Sequence, residues 1–272
     1  MIAALRYEWR RLWTIRSTYW LIGITLTVQG VLTLLVALAV SASEGVDDLD
    51  EMQEVVTAVF TLGASFGRSP LFTAYLIAMF GVFTFGHEYR YGMIRATLTA
   101  VPARTSVFAA KVIVTALVAA VLSLLCSLIG MFWCLLFIGA DGALGSSEVW
   151  SVVLGVTIYT VLFALWAVAV TALVRNQTGA LALVLLVPLV VENVLKVILT
   201  VLANVGDNDV DDIAKVFPFD AGAQMYVGIA GQELNRLLGY EPFSALTGGL
   251  IMLGFTAALL GGAYALFLRR DA

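Results

Sequence analysis

Glu192 and Lys196 stand four positions apart inside an otherwise apolar run, VPLVVENVLKVILTVL. On a helix they share a face and can pair, and charges at hydrocarbon depth are costly enough to be kept mainly for function. Pro188, just before them, removes one backbone hydrogen bond and invites a kink. From an inner end near Gly179, Glu192 lies about 20 Å and Lys196 about 26 Å along the helix. The pair therefore reads either as a functional site or as charges facing the outer interface. Gln29, midway along an earlier apolar run, is a candidate for lining a cavity or for hydrogen bonding between helices.

Other reactive chemistry is sparse. The single histidine, His87, has no cysteine or second histidine at ligand spacing, which favours a boundary residue over a metal ligand. Cys126 and Cys134 would sit about 12 Å apart along one helix, too far for a disulfide, and read as small apolar packing groups. There is no G-x-S-x-G elbow and no G-x-x-x-x-G-K-[ST] loop. No residue reads as catalytic or as a metal ligand, the chain is not read as an enzyme, and no cofactor is expected on it. If ATP drives it, another chain must hold the ATP.

The elements that carry these residues are long and apolar. Of 272 residues, 61% are hydrophobic and 12% charged, against about 25% charged in soluble domains. The apolar residues fall in runs of about 20, the length that crosses ~30 Å of hydrocarbon as helix. The expected fold is an all-α integral membrane domain over 1–272, with spans near 19–41, 70–86, 107–138, 150–174, 179–202 and 246–268. Ser69 and Pro70 would open the second span as N-cap and first helical residue. The third, at about 48 Å of helix, must tilt or project, and Lys111 near its start places the projecting end inside.

Ahead of the first span, Ile2, Leu5, Trp9, Leu12 and Trp13 recur at helical spacing while Arg6, Arg10, Arg11 and Arg16 fill much of the remainder. That pattern predicts an amphipathic helix over 1–18 in the headgroup plane. With no small-residue cleavage site after the first apolar run, that run reads as a retained span. A second amphipathic pattern, through Leu49, Met52, Val56 and Val59, predicts a short outer-surface helix over 46–62. The piece 217–231 is too short to span and reads as a re-entrant or outer-surface segment. Gly254 with Gly261, and Ala258 with Gly262, fall on roughly one helix face and read as helix-packing positions.

Orientation follows from lysine and arginine, which collect on the cytoplasmic side. Arg6, Arg10, Arg11, Arg16, Arg90, Arg95, Arg104, Lys111, Arg175, Arg269 and Arg270 fall on one side of the six spans, against Arg68, Lys215 and Arg236 on the other. Both termini are therefore expected in the cytoplasm, and the acidic residues mirror this by collecting in the outer loops. The net charge of −4 thus hides a basic inner face, which suits anionic lipid headgroups; nucleic acid is not an expected partner.

The loop between the second and third spans reads HEYRYGMIRATLTAVPARTSVFAAK. It resembles the cytoplasmic loop of permeases of the type-2 ATP-binding-cassette exporters, through Glu88, Gly92, Thr97, Leu98, Pro102, Arg104 and Lys111. EWRRLWTIRSTYW is similar to that family's N-terminal surface helix, and Leu268 to Asp271 to its common ending. The resemblance implies a transport subunit in a plasma membrane, of prokaryotic type. Two permease units, identical or different, would form the pathway, driven by two cytosolic ATPase subunits that hold ATP and Mg. Glu88, Tyr89, Arg90, Tyr91, Gly92, Met93, Ile94 and Arg95 would form the ATPase-coupling loop, with Tyr89, Tyr91, Met93 and Ile94 as anchors and Glu88, Arg90 and Arg95 as rim charges. Pathway candidates are Gln29, Phe80, Phe83, Glu192 and Lys196. Two alternatives come from other classes. An ion-coupled secondary transporter would show inverted repeats and a charged midplane site; Glu192 and Lys196 hint at one, while the lack of repeats argues against it. A non-transporting membrane anchor or immunity protein would use the same loop for a partner.

Overall fold

The computed structural model describes residues 1–42, 72–100, 102–139, 145–206, 213, 215–227 and 243–269, and among them every regular element is helical. The amphipathic helix α1, Ile2–Thr14, ends where Ile15 takes an extended conformation. This single residue turns the chain into the long apolar α2, Arg16–Ala42. Next come α3, Phe72–Arg90, α4, Ile94–Ala100, and α5, Arg104–Ile138, which stops on Gly139 in the left-handed conformation that suits glycine.

Helix α6, Ser147–Val174, opens where the Ser146 hydroxyl accepts the Glu148 N–H at 3.2 Å. Its successor α7, Gln177–Leu186, opens where the Asn176 side chain accepts the Gly179 N–H at 3.0 Å. A π-helical turn, Val187–Val191, joins α7 to α8, Glu192–Gly206. Pro188 sits in that turn, and Asn193 Nδ2 donates to the carbonyls of Pro188 and Leu189 at 3.2 and 2.8 Å. The kink expected at Pro188 therefore takes the form of a wide turn whose carbonyls a side chain satisfies. The short α9, Pro218–Ala223, and the long α10, Ala245–Arg269, complete the described structure.

Helix α6 is the hub: 78% of its most apolar stretch is buried, against 17% for the α7–α8 stretch. Close approach to the hub is made at glycines. A Cβ on Gly81 of α3 would meet the Ala164 carbonyl oxygen, and one on Gly155 would meet that of Met225. Phe219 of α9 packs edge-on against Trp166 at 4.8 Å, and Gly248 of α10 lies against the Ala221 carbonyl. Residues 217–227 are thus packed into the bundle.

Among the described residues five helical stretches are long and apolar enough to cross a membrane: Arg16–Ala42, Arg104–Ile138, Ser147–Val174, Gln177–Leu202 and Ala245–Arg269. The stretch expected over 70–86 is not among them. Its first two residues lie outside the described ones, and α3 continues through His87, Glu88 and Arg90, which dilute its apolar character. Most of α3 is covered by neighbouring helices, so it needs less hydrophobicity than a lipid-facing span. The expected helix over 46–62 and the Ser69–Pro70 cap also lie outside the described residues. Among the described residues nothing stands within 4 Å of a Cβ built on Gly254, Gly261 or Gly262, so the packing expected of these positions is not made inside the bundle. Among the described residues the closely packed glycines of α10 are Gly248, against the Ala221 carbonyl, and Gly249, against the Met225 side chain.

Candidate functional site

The loop after α3 is built on a glycine. The Tyr91 and Met93 N–H groups donate to the carbonyls of His87 and Glu88 at 3.0 and 2.8 Å, and the turn passes through Gly92 at φ 65. No atom crowds a Cβ there, so it is the left-handed backbone that favours glycine. On this turn Tyr91 is 65% and Met93 47% exposed, with Arg90 and Arg95 exposed beside them. The remaining loop residues point inward. Ile94 packs with Phe85, Phe108 and Phe267, and Tyr89 stacks on Phe85 at 6.0 Å. Only two of the four expected anchors are therefore presented outward.

Glu88 is not a rim charge, because it is 1% exposed. It belongs to a buried cluster with Glu8 and Arg11 of α1 and Lys111 of α5. The Lys111 Nζ lies 2.7 Å from Glu8 Oε1 and 2.7 Å from Glu88 Oε1, and donates to the Thr84 carbonyl at 3.1 Å. All three ammonium protons thus have acceptors. Arg11 Nη1 reaches Glu8 Oε2 and Glu88 Oε1, each at 3.0 Å, and the Thr84 carbonyl at 2.9 Å, while Nη2 donates to the Phe83 carbonyl at 2.9 Å. Two carboxylates balance two cations, so the cluster is neutral although Lys111 is fully buried. Such a network is kept only when its members are paired, and removing one strands the others. It fastens α1, α3 and α5 to one another, and Tyr7 adds a contact from α1 to Thr97 of α4 at 3.4 Å.

Sequence reasoning reads Lys111 as an orientation marker and as a residue of the family loop, and does not single out Glu8. The available signal was an acidic residue in an otherwise basic helix, three positions before Arg11. His87 stacks on Phe83 at 4.7 Å, and burial first, then Arg11 and Arg90, push its pKa below the usual 6.5. Among the described residues no group of three His, Cys, Asp or Glu is placed to hold a metal ion. Cys126 and Cys134 are free and buried.

Glu192 and Lys196 do approach, at 3.8 Å, but the shorter bond of Lys196 is to Asp220, at 2.7 Å. The Asp220 N–H donates to Glu192 Oε1 at 2.8 Å, so the pair is part of a three-residue tie between α8 and α9. Asp220 is 28 residues away in sequence, beyond the reach of any helical spacing rule. The other pathway candidates are not gathered with it. Gln29 is 1% exposed with its Oε1 unpartnered, and Phe80 is 3% exposed. Phe80 and Phe83 border a cavity of about 20 Å³ beside the charge cluster, room for a single water.

A helical bundle with five stretches of membrane length and a basic, aromatic loop bolted to its core defines a polytopic α-helical membrane protein. Over residues 5–205 the chain matches the family described as ABC-2 family transporter protein. The chain belongs to that family and is an ABC-2 type permease, a membrane transport subunit. A comparison with curated proteins finds no match.

Proposed function

We propose that this permease is the membrane half of an exporter for lipophilic compounds, paired with a second permease and driven by two cytosolic ATPase subunits that hold ATP and Mg. The observation that carries this reading is the turn at Gly92. It offers Tyr91 and Met93 outward between Arg90 and Arg95, while its base is clamped by Glu88 to Lys111 and Arg11. Exposed aromatic and methionine side chains ringed by charge are what a partner groove uses as anchors. A push on the turn passes through the buried cluster, so α1, α3 and α5 move together when the ATPases close.

In this reading the sixth span is the 70–86 stretch, ending within α3 before His87, both termini are cytoplasmic, and the membrane is the plasma membrane of a prokaryote. The sparsely buried α7–α8 face, with Val190, Val194, Val197 and Val201 exposed, suits a wall against the second permease or the cargo. Glu192 and Lys196 then brace that wall from behind through Asp220, while Gln29, Phe80 and Phe83 support the pathway from within the bundle.

The test is ATP hydrolysis by the copurified complex. The double variant Tyr91→Ala, Met93→Ala is expected to lose drug-stimulated hydrolysis by roughly tenfold or more, since an interface anchor contributes about 2 kcal/mol or more, while the permease melts as before. Full stimulation in that variant would remove the loop from the coupling route.

A further inference from the structure

Between α1 and the end of α3 lies a cavity of about 940 Å³, within the range of roughly 300–1,000 Å³ typical of small-ligand sites. Arg6 and Arg10, one turn apart on α1, and Arg90, the last residue of α3, border it. Among the described residues none of these three makes an ion pair, in contrast to the neighbouring Arg11, which Glu8 and Glu88 neutralise. The remaining wall includes Tyr7, Phe83 and Met93, with His87 and the Glu88 carboxylate, whose charge Arg11 and Lys111 already neutralise, so the space combines unneutralised guanidinium groups with an apolar side.

We propose that this cavity holds the phosphodiester headgroup of an anionic phospholipid, with Arg6, Arg10 and Arg90 as the donors to its phosphate. Guanidinium forks match phosphate oxygens bidentately, and unneutralised cations beside a membrane draw anionic lipid. A lipid fits better than a soluble phosphate ester because of what flanks the site. Ile2, Trp9 and Trp13 are exposed on the adjoining face of α1, and Tyr19 and Trp20 are exposed at the start of α2. Tryptophan and tyrosine in such positions mark the headgroup level, where acyl chains can run along the apolar flank while the phosphate turns into the cavity. Because the donors come from both α1 and α3, the lipid steadies the turn at Gly92. The inference rests on the placement of α1 at the membrane surface and not on ATPase docking.

Native mass spectrometry of the full-length protein, purified from nanodiscs of phosphatidylcholine with and without phosphatidylglycerol, tests this. The native protein is expected to retain phosphatidylglycerol selectively. The variant R6Q/R10Q/R90Q should lose that retention by roughly tenfold or more, and Arg16→Gln, outside the cavity, should keep it. Arg10→Gln alone, read for partial loss, covers the case in which the triple variant melts early. Equal retention in native and triple variant would overturn the proposal. So would displacement of the lipid by soluble glycerol 3-phosphate, or by an ATPase that cross-links to position 10 and thereby claims the cavity for a protein. A docking failure would show instead as lost stimulation with lipid retention intact.

Discussion

Lys111 is fully buried, and its charge is held by Glu8, Glu88 and the Thr84 carbonyl, which take all its protons. Lys111→Met leaves the Glu8 and Glu88 carboxylates to share the single cation Arg11, and removing one partner of such a buried network costs about 3–5 kcal/mol. The purified variant is expected to melt well below the native protein, whereas Tyr91→Ala, which removes only an exposed side chain, should melt unchanged. An unshifted melting temperature for Lys111→Met would dissolve the clamp. His87, just past the inner end of the 70–86 stretch, gives a pH signature. Its pKa is lowered in the fold, so the unfolded chain binds the proton more readily. The stability this contributes is complete above pH 6.5 and is lost as pH falls through the lowered folded value. His87→Phe should flatten that part of the stability profile measured by denaturant titration.

Packing of whole helices is decided at a few contacts. An Ala at Gly155 or Gly248 drives its Cβ onto a backbone carbonyl, of Met225 or Ala221 respectively. Backbone cannot swing aside as a side chain can, so each change is expected to destabilise by about 1–3 kcal/mol. Gly254→Ala points into open space and gains helix propensity of up to about 1 kcal/mol. Thermal melts of the three variants should therefore differ in sign, and a uniform response would contradict the arrangement of α6, α9 and α10. The tie between α8 and α9 has its own test. Glu192→Leu strands the Asp220 N–H at a cost of about 1–3 kcal/mol, while Glu192→Gln keeps an acceptor and should be mild.

At the scale of the molecule, the asymmetry of lysine and arginine predicts the orientation. Cysteine at position 90 is expected to react with an impermeant thiol reagent only after permeabilisation, and cysteine at position 246, where Leu246 is 75% exposed, from outside intact cells. Reaction of position 90 from outside would invert the orientation. The native cysteines are buried and give little background. Local run length, helical period and short motifs were enough to read the all-helical membrane class, the N-terminal amphipathic helix, most of the spans and the family loop from the residues alone. It took the packed bundle to turn Glu88 inward to meet Glu8, Arg11 and Lys111, and to give Lys196 a shorter bond to Asp220 than to its helical neighbour Glu192. It also puts Gly248 and Gly249, and not Gly254 or Gly261, at the close contacts of α10 within the bundle. Those outcomes depend on the rotation of each helix about its own axis and on which partner it meets. Where nearly every residue is apolar, as in α6 or α10, the hydrophobic pattern fixes neither.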